Sequence, residues 1–164
     1  MTEDKRAYNM CTFFMEVRAM WKYEHSVETA AGPDAVFAVL EDVTRWPEWN
    51  QGVERIDLAG PFATGTPGVM VIPGQGSLDF RLAWVAKGQG FEDETPVPGT
   101  DVVVRVRHSL EPLAGGGTRI TYRATIEGPT ADALGPEIGS AVTSDFPEVM
   151  AALARRAEAR SAAA

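Results

Sequence analysis

Two histidines occupy positions where an apolar side chain is expected. His108 falls in a stretch where Val102, Val104, Val106, His108 and Leu110 alternate with Val103, Arg105, Arg107 and Ser109. His25 shares a face with Trp21, Tyr23 and Val27, opposite Lys22, Glu24, Ser26 and Glu28. Side chains of a strand point alternately to its two faces, so both imidazoles are directed inward. An imidazole, with an ordinary pKa near ~6.5, can move a proton to and from an enolising or condensing ligand. Tyr122 alternates with Ile120, Ala124 and Ile126 against Arg119, Thr121, Arg123 and Thr125, and its phenol is a group able to hold an oxyanion. Each of these residues also has a plainer reading, as a core side chain whose polar end meets a backbone group or a water.

Other chemistries find no support in the residue types. Two histidines without a carboxylate at ligand spacing make a poor metal site, and the single Cys11 can form neither an internal disulfide nor a thiolate zinc centre. Neither a metal nor a cofactor is expected. Gly74-Gln75-Gly76 and Gly88-Gln89-Gly90 lack the following helix and lysine of a phosphate loop and read as turns. Ser-His-acid, HExxH and CxxC patterns are absent. Arg105, Arg107, Arg119 and Arg123 share the outer face of one hairpin with Glu111 and Glu127 nearby, which reads as a solvated, salt-bridged surface. Fifteen Lys and Arg against 23 Asp and Glu give a net charge of −8, a field that repels nucleic-acid phosphates and anionic membrane surfaces. No apolar run reaches the ~20 residues of a membrane helix, and residues 7–20 are too interrupted for an export signal, so the expected location is cytoplasmic. Oligomeric state is not legible.

The elements that must position these residues follow from periodicity. A strand at 21–28 leads to Gly32-Pro33, an N-cap and first helical residue, and then to Val36, Phe37, Val39 and Leu40 at helical spacing. Thr44 is a candidate cap for a second, very short helix through Trp49; Trp46 and Trp49 are expected to pack that helix pair rather than touch a ligand. Strands are expected at 53–59, 68–73 and 78–86, the last with Leu78, Phe80, Leu82, Trp84 and Ala86 on one face, with a further short strand from Phe91 to Thr95. A long hairpin follows, turning at 114–117. Ile138 and Val142 open a helical stripe that Pro147 must interrupt, and Asp145 with Glu148 three residues later reads as a capping box restarting the helix. Phe146, Val149, Met150 and Leu153 carry its apolar face.

This order, with Ala-Gly-Pro-Asp-Ala-Val-Phe at 31–37, Asp42, Trp46 and Trp49, and Gly-Gly-Thr-Arg-Ile-Thr-Tyr at 116–122, resembles the SRPBCC superfamily of START domains, polyketide cyclases and the birch-pollen allergen, in its bacterial polyketide cyclase/dehydrase and lipid-transport branch. The resemblance covers roughly 21–160 and implies an α+β helix-grip fold: a curved antiparallel sheet of about 6–7 strands wrapped round a long C-terminal helix, with two short helices after the first strand. Residues 1–20 are then an N-terminal tail, 21–160 a START-like ligand-binding domain and 161–164 a C-terminal tail. It also places Tyr122 between the two histidines and implies a cavity between sheet and helix for an apolar small molecule, aromatic, polyketide-like or lipid-like. The expected lining is His25, Phe80, Leu82, Trp84, Val106, His108, Tyr122, Phe146 and Met150. Fold alone does not decide the function. Binding or transport is the first reading. A cyclase, aromatase or dehydratase using His108 as acid/base and Tyr122 as oxyanion donor is the second, and a protein-interaction module of the chaperone-ATPase-activator type the third.

Overall fold

The computed structural model describes residues 20–163, so the tail expected at the N-terminus lies almost wholly outside the described residues. Its last expected residue, Met20, already pairs with Glu127, and the first strand, β1, runs Met20–Thr29. Gly32 and Pro33 start helix α1, Pro33–Glu41, as their conformational preferences require. A 3-10 helix follows at Val43–Glu48; Thr44 lies inside it rather than capping it, and its hydroxyl reaches back to Asp42 at 3.0 Å. Then come β2 (Arg55–Leu58), β3 (Pro67–Ile72), β4 (Gly76–Ala86), β5 (Gly90–Pro96), β6 (Val103–Pro112) and β7 (Thr118–Glu127), and helices α2 (Ala131–Thr143) and α3 (Phe146–Ala163). Residues 161–163 therefore continue α3 instead of forming a tail.

The seven strands make one antiparallel sheet in the order β1-β7-β6-β5-β4-β3-β2. Its inner face is apolar and is covered by α3, which packs on β1 and α1, so the fold is the helix grip. Phe146, Val149, Met150, Leu153, Ala154 and Ala157 recur on the buried stripe of α3. Thr29 donates to Glu158 at 2.7 Å and ties the far end of α3 to the end of β1.

Two packing details set the geometry of the inner face. On β4 the register shifts between Leu82 and Trp84, a β-bulge in which Ala83 opposes no residue of β5. Phe80 and Leu82 point inward before it and Val85 points inward after it. Trp84, expected inside from strict alternation, is on the outer face, where the Arg107 guanidinium lies 4.1 Å from its ring centre. On α2, Gly135 and Gly139 present bare backbone to Trp21: a Cβ on the first would stand 2.5 Å from the Trp21 Cβ, and one on the second 2.4 Å from the indole ring. α2 begins well before Ile138 and tolerates Pro136, whose exposed ring faces away from this contact.

The break between α2 and α3 falls at Ser144 and Asp145, with Pro147 in the first turn of α3 where its missing N–H costs nothing. The expected capping box is not how the turn is made. The Asp145 carbonyl accepts from Val149 at 2.9 Å, while its carboxylate is turned toward Gly52, where any Cβ would meet it at 2.6 Å. Burial pushes the Asp145 carboxyl above its ordinary value, so its ionised form costs stability at neutral pH. Asp145→Ala is accordingly expected to leave the melting temperature unchanged or raised; a drop equivalent to about 1 kcal/mol in thermal denaturation would restore the cap.

Candidate functional site

Strand register assembles one inner row across five strands: Val85, Phe91, His108, Tyr122 and His25 lie side by side. The next inner row is Leu82, Asp93, Val106, Ala124 and Tyr23. The outer row between them reads Trp84, Glu92, Arg107, Arg123 and Glu24. There Arg107 bonds Glu92 at 2.8 Å and Arg123 bonds Glu24 at 2.6 Å, the salt-bridged surface expected of these arginines.

Among the sequence candidates, the structure brings His108, Tyr122 and Phe146 together. The imidazole is stacked on Phe91 with ring centres 4.0 Å apart and 9° between planes, and meets Tyr122 edge-on at 4.3 Å; Tyr122 in turn meets Phe146 at 5.4 Å. Val106 and Met150 are buried in the same core, and Phe80 and Leu82 lie on the wall of an interior cavity. His25 ends the row on the edge strand, half-buried and apart from this cluster. Trp84 does not belong to the site, because the bulge turns it outward.

The alternation around one further candidate group was not used. Asp93, on β5 between the outward Glu92 and Glu94, points inward and places its carboxylate 3.7 Å from Nδ1 of His108. That separation is too long for a hydrogen bond, and Nδ1 has no partner among the described residues. Burial, with Glu92 nearby, raises the Asp93 carboxyl from 3.8 to about 7. Burial lowers His108 from 6.5 to about 3, with the backbone of Phe91 and Val106 pulling weakly the other way. At neutral pH the imidazole is neutral and the carboxyl close to half protonated, so the two are not an ion pair. Burial, with Asp93 and Asp145, pushes the Tyr122 phenol far above its ordinary value, and it remains a proton donor. A carboxyl poised near neutrality, an imidazole nitrogen without a partner and a phenol, all in one apolar interior, can exchange protons with a ligand without a metal.

An interior cavity lies under the 3-10 helix and the β2–β3 loop, with no residue of α3 and neither His108 nor Tyr122 on its wall. The interior cavity measures about 10 Å³, with Asp93 as its polar wall and Trp46, Phe62, Phe80 and Phe91 among its apolar ones. Room for about one water remains. Phe62, from the β2–β3 loop, closes it by packing edge-on against Phe91 at 5.1 Å and Phe37 at 6.0 Å. Trp46 packs as expected, its indole donating to the Leu40 carbonyl at 3.0 Å, yet it also faces the cavity. A solvent-open groove of about 630 Å³ lies elsewhere, beside the start of α3, lined by Trp49, Gly52, Asp145 and Arg155. Of the groups just described it holds only Asp145.

A seven-stranded antiparallel sheet closed by a long C-terminal helix, with its polar side chains inside the grip, defines the class of helix-grip domains of the SRPBCC superfamily. The family described as polyketide cyclase / dehydrase and lipid transport matches residues 20–158, and the chain belongs to it. Among solved structures it is similar to norcoclaurine synthase from Thalictrum flavum, a point mutant in complex with a transition-state analogue, at 14% identity and a TM-score of 0.70 over 88% of this chain and 98% of that one. The two-domain ARO/CYC protein StfQ of the steffimycin biosynthetic pathway is similar at 15% identity and a TM-score of 0.72, over 88% of this chain and 52% of StfQ. A START superfamily protein from Mycobacterium smegmatis gives 19% identity and a TM-score of 0.59, over 84% of this chain and 97% of that one. No curated protein sequence matches. Among the described residues no helix is long and apolar enough to cross a membrane, and no group of three or more His, Cys, Asp or Glu is placed to hold a metal.

Proposed function

We propose that the chain acts in the cytoplasm as a binder of an apolar small molecule, aromatic, polyketide-like or lipid-like, held between the inner face of the sheet and α3. The observation that carries this reading is the unpartnered imidazole nitrogen of His108 beside the Asp93 carboxyl. Leaving a buried polar group unsatisfied costs about 1–3 kcal/mol, which a purely structural core avoids by placing an apolar residue there. A ligand's polar atom supplies the missing partner, and its rings exchange for Phe62, which is held in place largely by other rings. The family description and the likeness to norcoclaurine synthase support such a role.

The second reading, a cyclase or dehydratase with His108 as acid/base and Tyr122 as oxyanion donor, is favoured by the Asp93 carboxyl near neutrality at its side. Asp93 then donates a proton to a ligand carbonyl while His108 accepts one from carbon, and the pair resets by exchanging the proton between them. A filled interior taken alone suits an interaction module, but that role has no use for the orphan nitrogen.

Native mass spectrometry of protein from its own host is expected to show a co-purifying small molecule. His108→Phe then separates the two leading readings. A carrier keeps its affinity within about tenfold, roughly 1.4 kcal/mol. An enzyme loses about 10²–10⁴ in turnover while still binding. Absence of any co-purifying molecule, together with aromatic compounds that leave the Met70 and Met150 methyl signals unmoved, defeats binding and leaves the interaction module.

A further inference from the structure

The polar groups inside this domain discriminate by charge. Among the described residues the buried polar ones are Thr29, Thr95, His108, Thr118 and Thr143, with no lysine or arginine. The Asp93 side chain is 14% exposed and the His108 side chain 9%, and the two are separated by 3.7 Å. Tyr122 faces them from β7 and Asp145 lies beyond it, Glu92 points outward from β5, and His25 stands at the sheet edge; the buried faces of α1 and α3 are apolar. An anionic ligand would meet carboxyls and no cation. A cationic one would require Asp93 to ionise against its burial and against Glu92. What fits is an atom that both donates and accepts, because a protonated carboxyl donates and an unpartnered ring nitrogen accepts.

We infer that Asp93 and His108 together receive a single uncharged hydroxyl of an aromatic ligand, bridging the carboxyl and Nδ1. This rests on the binding reading above and narrows it: hydroxyl-bearing, uncharged aromatic molecules are the ligands, and fatty acids and amines are excluded. Asp93 is the residue that sets the preference, and Nδ1 of His108 is the second half of the receiver. The hydroxyl accepts from Asp93 and donates to His108, satisfying both groups with one atom.

The test compares naphthalene, 2-naphthol and 2-naphthoate, titrated into the full chain and followed by the Met70 and Met150 methyl resonances. At pH 6, 2-naphthol is expected to bind roughly tenfold more tightly than naphthalene, and 2-naphthoate at least tenfold more weakly. The naphthol advantage is expected to persist at pH 8.5, where the ionised Asp93 accepts from the hydroxyl and Nδ1 donates to it as the other tautomer, while naphthoate falls further behind. Asp93→Leu should abolish it without lowering the melting temperature at pH 8. Asp93→Asn, whose amide both donates and accepts, should retain the advantage and let naphthoate bind no worse at pH 8.5 than at pH 6, an outcome that a merely structural role for Asp93 does not produce. Naphthalene binding with no gain for the naphthol, or with naphthoate bound best, overturns the hydroxyl receiver and leaves apolar binding standing. Failure of all three compounds to bind overturns both.

Discussion

His108→Phe is expected to make the stability of the fold fall by about 4 kcal/mol between pH 4 and pH 7.5, while the parent protein changes far less over the same range. The folded Asp93 carboxyl holds its proton up to about pH 7 and the unfolded one only to 3.8, so between those values the folded state binds more protons and is lost as pH rises. His108 acts in the opposite sense. Its imidazole titrates at about 3 when folded and 6.5 when unfolded, so over that interval the unfolded state binds the extra proton and stability grows with pH. The two slopes oppose each other from roughly pH 4 to 6.5, and the intact pair conceals both. Burial is the leading cause of each shift and neither has the other residue among its causes, so removing one exposes the other. Asp93→Asn is expected to show the mirror image, losing a similar amount as pH falls from 6.5 to 3.5. Urea unfolding across pH, read as the difference between each variant and the parent, cancels the contribution of the surface carboxylates. Parallel curves for all three proteins would mean that neither group is held in its uncharged form.

Gly135→Ala is expected to destabilise by about 2 kcal/mol despite the better helix propensity of alanine, worth about 1 kcal/mol. The new methyl would stand 2.5 Å from the Trp21 Cβ, an atom fixed to the β1 backbone that cannot swing aside. Gly139→Ala meets only the far edge of the same indole and is expected to cost less. Trp21→Ala leaves a hole beside α2, with a loss of about 2–3 kcal/mol, below the usual range for a fully buried tryptophan because this one is half-buried. Combining Trp21→Ala with Gly139→Ala removes the ring atoms that the new methyl would meet and partly refills the hole, so that double variant should be more stable than the sum predicts by at least 1 kcal/mol, whereas Gly135→Ala keeps its clash with the Cβ that alanine retains. Strict additivity in thermal or chemical denaturation would show that indole and glycine do not share a contact.

Much of this architecture was legible because alternation and helical spacing are local. The long hairpin, the inward direction of His108 and Tyr122, the Gly32-Pro33 helix start and the break before Pro147 all follow from neighbours a few residues away. Trp84 was assigned to the wrong face because a bulge leaves no mark in the hydrophobic pattern: Ala83 and Val85 are as apolar as the residues they replace. Asp93 was passed over for the opposite reason. Within Phe91-Glu92-Asp93-Glu94-Thr95 an acidic residue looks like one more solvated charge, although its alternation with buried Phe91 and Thr95 was there to be used. The closing of the cavity by Phe62 was beyond any local signal, since the ring reaches the site from a turn-rich loop whose composition speaks only of turns. Which groups carry charge depends on that closure as well, and so became readable only once the burial was known.

The bulge at Ala83 also matters for descent. Ahead of it the inward positions of β4 are even-numbered, Phe80 and Leu82; beyond it they are odd, beginning with Val85. The strand is thus written in two reading frames joined at one small residue. A relative that lost this residue and kept every other side chain would read Leu82 inward, Trp84 outward and Val85 inward in plain alternation, keeping both its inner wall and the outer-face stack on arginine. A change of one codon's length at this point therefore leaves the wall as it is, and a single-residue gap in an alignment here marks the presence or absence of the bulge rather than a change of specificity.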